Sequence, residues 1–165
     1  MGAPIPTGLL RAVDQGFDLV MTRSLPVELA AAWAWLTEPE STARWIGNWK
    51  GIGAQGETIK LQMGFEEGTA WSDVKIEECR APHYLRVSTV ENSGSWVLSL
   101  ELTAVGQRTE LRFIHHGLVP VAAADIGPGW EYYIEQLLAS ITGDPLPVCD
   151  YYYPGQREYF QNQER

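Results

Sequence analysis

Cysteine is scarce in this chain, Cys79 and Cys149 being the two among 165 residues. They could close one bridge but not a disulfide framework, so reduced thiols in a cytoplasmic protein are expected. Long apolar runs are missing as well, none approaching the roughly 18–20 residues of a membrane span, and no membrane partner is expected. The opening MGAPIPTGLLRAVDQG lacks the apolar core and cleavage site of a signal peptide, so export is not expected. Basic residues are the third shortage. Lys and Arg number 12 against 21 Asp and Glu, a formal charge of −9, with no local basic patch, which argues against nucleic acid or anionic lipid as a partner.

Recognisable catalytic motifs are absent too: there is no G-x-S-x-G elbow, Cys–His nucleophile signature or P-loop. Residues Gly51 to Gly56 satisfy G-x-G-x-x-G by letter, but the following TIKLQM alternates as a strand, where a dinucleotide site needs a helix N-terminus. A flexible loop at a pocket mouth is the expectation. His115 and His116 are adjacent, so on a strand they point to opposite faces and cannot share an ion, and no Cys or carboxylate completes a zinc set. The pairs Glu66–Glu67 and Glu77–Glu78 face opposite ways and are expected on the surface. No catalytic residue, metal or cofactor is expected.

What the chain does have is the composition of a folded domain, 45% hydrophobic and 20% charged. Residues 1–15 read as a loose arm, 16–143 as the domain, and 144–165 as a tail too aromatic to be solvated. A half-buried strand runs from Phe17 to Leu25. Pro26 opens a helix through PVELAAAWAWL, and Thr37 to Glu40 read as a capping box starting a second short helix that reaches about Trp45. Gly47 to Gly56 read as a loop. Period-two alternation follows around Leu61, Val74, Leu85, Leu98 and Leu111, with short loops such as Glu66 to Gly68 between strands, for about six antiparallel strands in all. From Pro128, residues Trp130, Tyr133, Ile134, Leu137, Leu138 and Ile141 form one apolar stripe on a long helix that ends at Gly143. The predicted class is α+β, a curved antiparallel sheet around that helix.

Three segments carry a family resemblance. Trp33, Leu36, Thr37, Pro39, Glu40 and Trp45 stand as W-A-W-L-T-E-P-E-x-x-x-x-W. Thr109, Leu111, Phe113, His115 and Gly117 form a T-x-L-x-F-x-H-x-G strand, and Gly129, Trp130, Ile134 and Leu137 sit on the final helix. In order and spacing they resemble the Hsp90 ATPase activator homologue family of the START-like, Bet v 1-like (SRPBCC) helix-grip superfamily, over roughly residues 16–142. The arm and the Tyr-rich tail have no counterpart in that pattern. The resemblance implies a helix-grip fold with an internal cavity for a small hydrophobic or aromatic molecule. It also implies two alternatives: a chaperone-interaction module, and a cyclase- or hydrolase-like enzyme.

Strand parity together with the resemblance places Trp45, Trp49, Leu61, Met63, Trp96, Leu98, Leu100, Phe113, His115, Tyr133, Ile134 and Leu137 in the cavity wall, between the sheet and the last helix. An indole there offers flat apolar area and an N–H donor. His115 is either a hydrogen-bonded core residue or a polar group in the pocket. Trp33 and Trp130 are expected in the core, and Trp71 faces outward by parity. The aromatic tail suits a homodimer contact or a tail docked on its own body.

Overall fold

The computed structural model describes residues 4–14, 16–63, 70–91, 94–119 and 122–164. The loop Glu66 to Gly68, with the pair Glu66–Glu67, lies outside them. One antiparallel sheet carries the fold, and it has eight strands where about six were expected: β1 (Leu9–Val13), β2 (Gly16–Leu25), β3 (Gly47–Lys50), β4 (Thr58–Met63), β5 (Trp71–Arg80), β6 (Tyr84–Glu91), β7 (Gly94–Val105) and β8 (Arg108–Leu118). Their order is β1-β2-β8-β7-β6-β5-β4-β3. Helices α1 (Leu29–Thr37) and α2 (Pro39–Thr42) follow β2, and α3 (Ala123–Thr142) and α4 (Arg157–Gln163) end the chain.

Both additional strands escape an alternation test. β1 lies in the segment read as a loose arm; most of its residues are exposed, so it shows no apolar period, and its partner is the backbone of β2, from Leu9↔Val20 to Val13↔Gly16. β3 lies in the segment read as a glycine loop. Gly47 is required there, because a Cβ would stand 2.0 Å from the Gln62 carbonyl oxygen across the β3–β4 pair.

Helix ends also differ from expectation. α1 starts at Leu29, because the backbone at Glu28 is still extended (φ −71°, ψ 163°). No capping box forms at Thr37: its hydroxyl donates back to the Trp33 carbonyl at 2.7 Å, and Glu38 takes the N-cap position ahead of Pro39 without a side-chain bond. α2 ends at Thr42 rather than near Trp45, the chain continuing in turns. α3 begins five residues before Pro128, which lies inside it. Burial of Ala123, Ala124 and Gly127 outweighs the bond that Pro128 cannot make.

The apolar stripe of α3 packs directly on the sheet, where Trp130, Ile134 and Leu137 join Leu19, Met21, Leu111 and Phe113 in the core. The tail docks on the body of the same chain. Phe160 of α4 is 0% exposed and lies so close to Gly8 and Gly127 that a Cβ on either would come within 2.9 Å and 2.6 Å of its ring. Beside it, the buried Glu131 carboxylate accepts from the Thr7 N–H (2.8 Å), the Thr7 hydroxyl (2.9 Å), the Gly8 N–H (2.6 Å) and Arg23 Nη2 (3.0 Å). Four donors offset the cost of burying this charge.

Candidate functional site

Strand register lays out the floor of a cavity. Ile76, Val87 and Leu98 form one cross-strand rung, which His115 continues on β8 outside the lining, and Cys79, Leu85, Leu100 and Phe113 form the next. Cys79 joins this face because β5 carries a bulge between Ile76 and Glu78, which shifts the alternation by one residue. Over the floor, Trp33 and Leu36 of α1, the α1–α2 junction and Trp45 form the roof, with Trp49 of β3 and Gly53 at the side. They border an open-mouthed space of about 470 Å³, within the ordinary range of small-molecule sites.

Of the residues expected in the wall, Trp45, Trp49, Leu61, Leu98, Leu100 and Phe113 line this space. The others are placed elsewhere. Tyr133, Ile134 and Leu137 are packed in the core beneath α3, so the space lies between the sheet and α1–α2 and not under the last helix, which contributes Trp130. Met63 packs against the core at the end of β4. Trp96 is 40% exposed and leans on the His115 ring, centroids 5.0 Å apart. Trp130 is in the core, as expected, with Trp33 packed against it, and both also border the cavity. Trp71 does face outward, beneath Lys50 Nζ at 4.2 Å from its ring centroid.

His115 is 2% exposed, and its Nδ1 accepts the Trp130 indole N–H at 3.0 Å. That bond leaves the neutral ring its proton on Nε2. Burial pushes its pKa down to about 4, the neighbouring His116 adds to this, and Asp18 opposes it. The group is a neutral core histidine at physiological pH.

Trp45 and Trp49 do not offer the cavity the donors expected of them. Trp45 Nε1 donates to the Trp35 carbonyl and Trp49 Nε1 to the Thr37 carbonyl, both at 2.9 Å. The Thr37 and Thr42 hydroxyls likewise donate to the Trp33 and Pro39 carbonyls. The rest of the lining is mainly apolar, Cys79 and the exposed Glu38 being the residues of it that bear a titratable group among the described residues. The glycine-rich segment, which adds Gly53 to the lining, is tied to β5: Gln55 accepts from the Cys79 N–H at 3.0 Å, and Gly56 donates to the Ile76 carbonyl at 2.7 Å.

The outer face of the sheet carries a polar chain that no motif announced. Ser99 Oγ lies 2.7 Å from His116 Nε2, and His116 Nδ1 lies 3.4 Å from Asp18 Oδ2. Burial works to raise the Asp18 pKa, but the Gly117 N–H, His116 and Arg11 together hold it below the usual carboxylate range. Ser99 is 1% exposed, with Tyr84 OH 3.3 Å from its hydroxyl. A substrate cannot reach it, and the chain's effect is to tie β2, β7 and β8 together.

The fold recurs in solved structures. The crystal structure of CalU16 from Micromonospora echinospora is similar at 21% identity over 98% of both chains, with a TM-score of 0.76. The solution structure of the BPP1335 protein from Bordetella parapertussis is 18% identical over 100% of this chain and 95% of its own, TM-score 0.72. DynU16, a protein of the dynemicin biosynthetic locus, is 20% identical over 80% of this chain and 50% of its own, TM-score 0.67. At these identities the likeness is one of fold, the helix-grip fold. Among curated protein sequences no relative matches. The family model described as "Activator of Hsp90 ATPase homolog 1-like protein" matches residues 26–142.

Proposed function

The chain belongs to the Activator of Hsp90 ATPase homolog 1-like family, and on that premise we propose that it binds a small hydrophobic or aromatic molecule in the cavity between α1–α2 and strands β3 to β8. Helix-grip proteins commonly bind such ligands. The observation that supports the reading here is an open-mouthed, mainly apolar space of about 470 Å³, along which the Trp45, Trp49 and Trp130 indole donors and the Thr37 and Thr42 hydroxyls are engaged by the protein itself. Such a wall selects by shape and apolar contact. At liquid-like packing it suits an occupant of about 250 Å³ van der Waals volume.

Native mass spectrometry of the protein as purified from cells reads a retained molecule directly. Leu98→Trp fills the floor and is expected to abolish retention while the thermal midpoint stays within a few degrees. Trp96→Ala, outside the lining, is expected to leave retention intact. Retention unchanged in Leu98→Trp would move the site elsewhere.

The chaperone-linked reading follows from the family description alone and uses an outer surface rather than this space. A pull-down with an Hsp90-type chaperone and an ATPase assay separates the two. The enzyme reading needs a polar constellation in the cavity, for which the sequence offers His115 and Tyr133. Both lie outside the lining, with His115 Nδ1 engaged and Tyr133 packed in the core, which removes that support.

A further inference from the structure

We infer that the occupant of the cavity carries a cationic amine on its apolar or aromatic body, seated at the mouth formed by Glu38, Trp49 and Trp33. The inference rests on the cavity being a ligand site and adds the ligand's charge. Glu38 is the carboxylate among the lining residues, and no Lys, Arg or His among the described residues lines the space. Glu38 is exposed, and its side chain makes no cap bond to α2. Trp49 is fixed at the same end, because its indole N–H is tied at 2.9 Å to the carbonyl of Thr37, the residue before Glu38. Gly53 closes on the other side of that ring, where a Cβ would stand 2.8 Å from Trp49 Cη2. Trp33, one turn before Thr37 on α1, lines the same space.

Nearby basic groups are engaged elsewhere. Arg44 lies over the Trp35 ring at 5.1 Å, Lys50 over Trp71 at 4.2 Å, and Lys60 pairs with Asp73. The mouth therefore presents indole surface and one carboxylate with no competing cation on its wall. Indole faces attract cations through their quadrupole, and a carboxylate beside them adds direct Coulomb attraction. A carboxylate-bearing ligand meets the opposite: no cation to pair with, Glu38 in repulsion, and a net charge of −9 around it.

A matched series tests this: 1-pyrenemethylamine, 1-pyrenemethanol and 1-pyrenecarboxylate, titrated by calorimetry at pH 7.5 and moderate salt. The amine is expected to bind about tenfold more tightly than the alcohol, the sum of a cation–π and a partly exposed ion-pair contribution, and the carboxylate most weakly. Glu38→Gln should bring amine and alcohol within about twofold of each other. Glu40→Gln, which removes the same charge from α2 at a residue outside the lining, should leave the preference in place. A carboxylate binding as well as the amine, or a preference that Glu40→Gln reduces as much as Glu38→Gln, overturns the inference and leaves the cavity reading standing. Failure of all three probes to bind overturns both.

Discussion

Acid should weaken this protein through His115 in a window where its carboxylates are still ionised, and the size of the loss follows from the environment of the ring. Its folded pKa is about 4 against 6.5 in the unfolded chain. Because the folded value is the lower one, the unfolded chain takes up its proton first as pH falls. The stabilisation is present above 6.5 and is lost on the way down to about 4. At about 1.36 kcal/mol per pKa unit the full loss is about 3 kcal/mol, of which about 2 is gone by pH 5. That is a large part of the about 5–15 kcal/mol typical of a domain. The assay is urea unfolding at a series of pH values from 7.5 to 4, on the native protein and on His115→Asn, whose side-chain oxygen can still accept from Trp130 without titrating. Carboxylates such as Asp18, held below their usual range, titrate in both and cancel in the difference. The native protein is expected to lose about 3 kcal/mol more than the variant. Parallel curves would refute the reasoning.

Three further predictions concern the junction of the chain ends. Phe160→Ala should cost about 3–5 kcal/mol by urea unfolding, since the ring is fully buried. Gly127→Ala should destabilise by about 1–3 kcal/mol through the 2.6 Å approach of its Cβ to Phe160, and combining it with Phe160→Leu should recover part of the loss; strict additivity would show that the two do not touch. Glu131→Gln should cost about 2–3 kcal/mol and increase hydrogen exchange at Thr7 and Gly8, whose N–H groups it anchors, whereas Glu135→Gln, at the exposed end of the same Arg23 pairing, should change both little.

Much of the architecture could be read from residue periodicity. The alternation around Leu61, Val74, Leu85, Leu98 and Leu111 falls on β4 to β8, and the stripe from Trp130 to Leu137 falls on the buried face of α3. Strands held by backbone pairing with little buried side chain, β1 and β3, left no such period. In the cavity, parity placed Leu61, Leu98, Leu100 and Phe113 among the lining residues because β4, β7 and β8 keep an even pleat there. Cys79 was missed because the bulge at Glu77 reverses parity, and a bulge leaves no mark in a hydrophobicity pattern. Tyr133, Ile134 and Leu137 were assigned to the cavity because a helical stripe reports which face is covered and not how closely the cover sits. Here the cover sits tightly, and the empty space lies under the shorter helices.

The two ends of the chain are stitched to one another: Gln163 accepts from the Leu10 N–H at 2.8 Å and donates to the Gly8 carbonyl at 3.0 Å, beside the Phe160 contact. None of these residues lines the cavity. Circular permutation is therefore open to this fold. A short linker joining the old ends, with new ones cut at the exposed Gly106–Gln107 hairpin tip, would keep the ends' mutual grip while leaving the cavity wall unaltered.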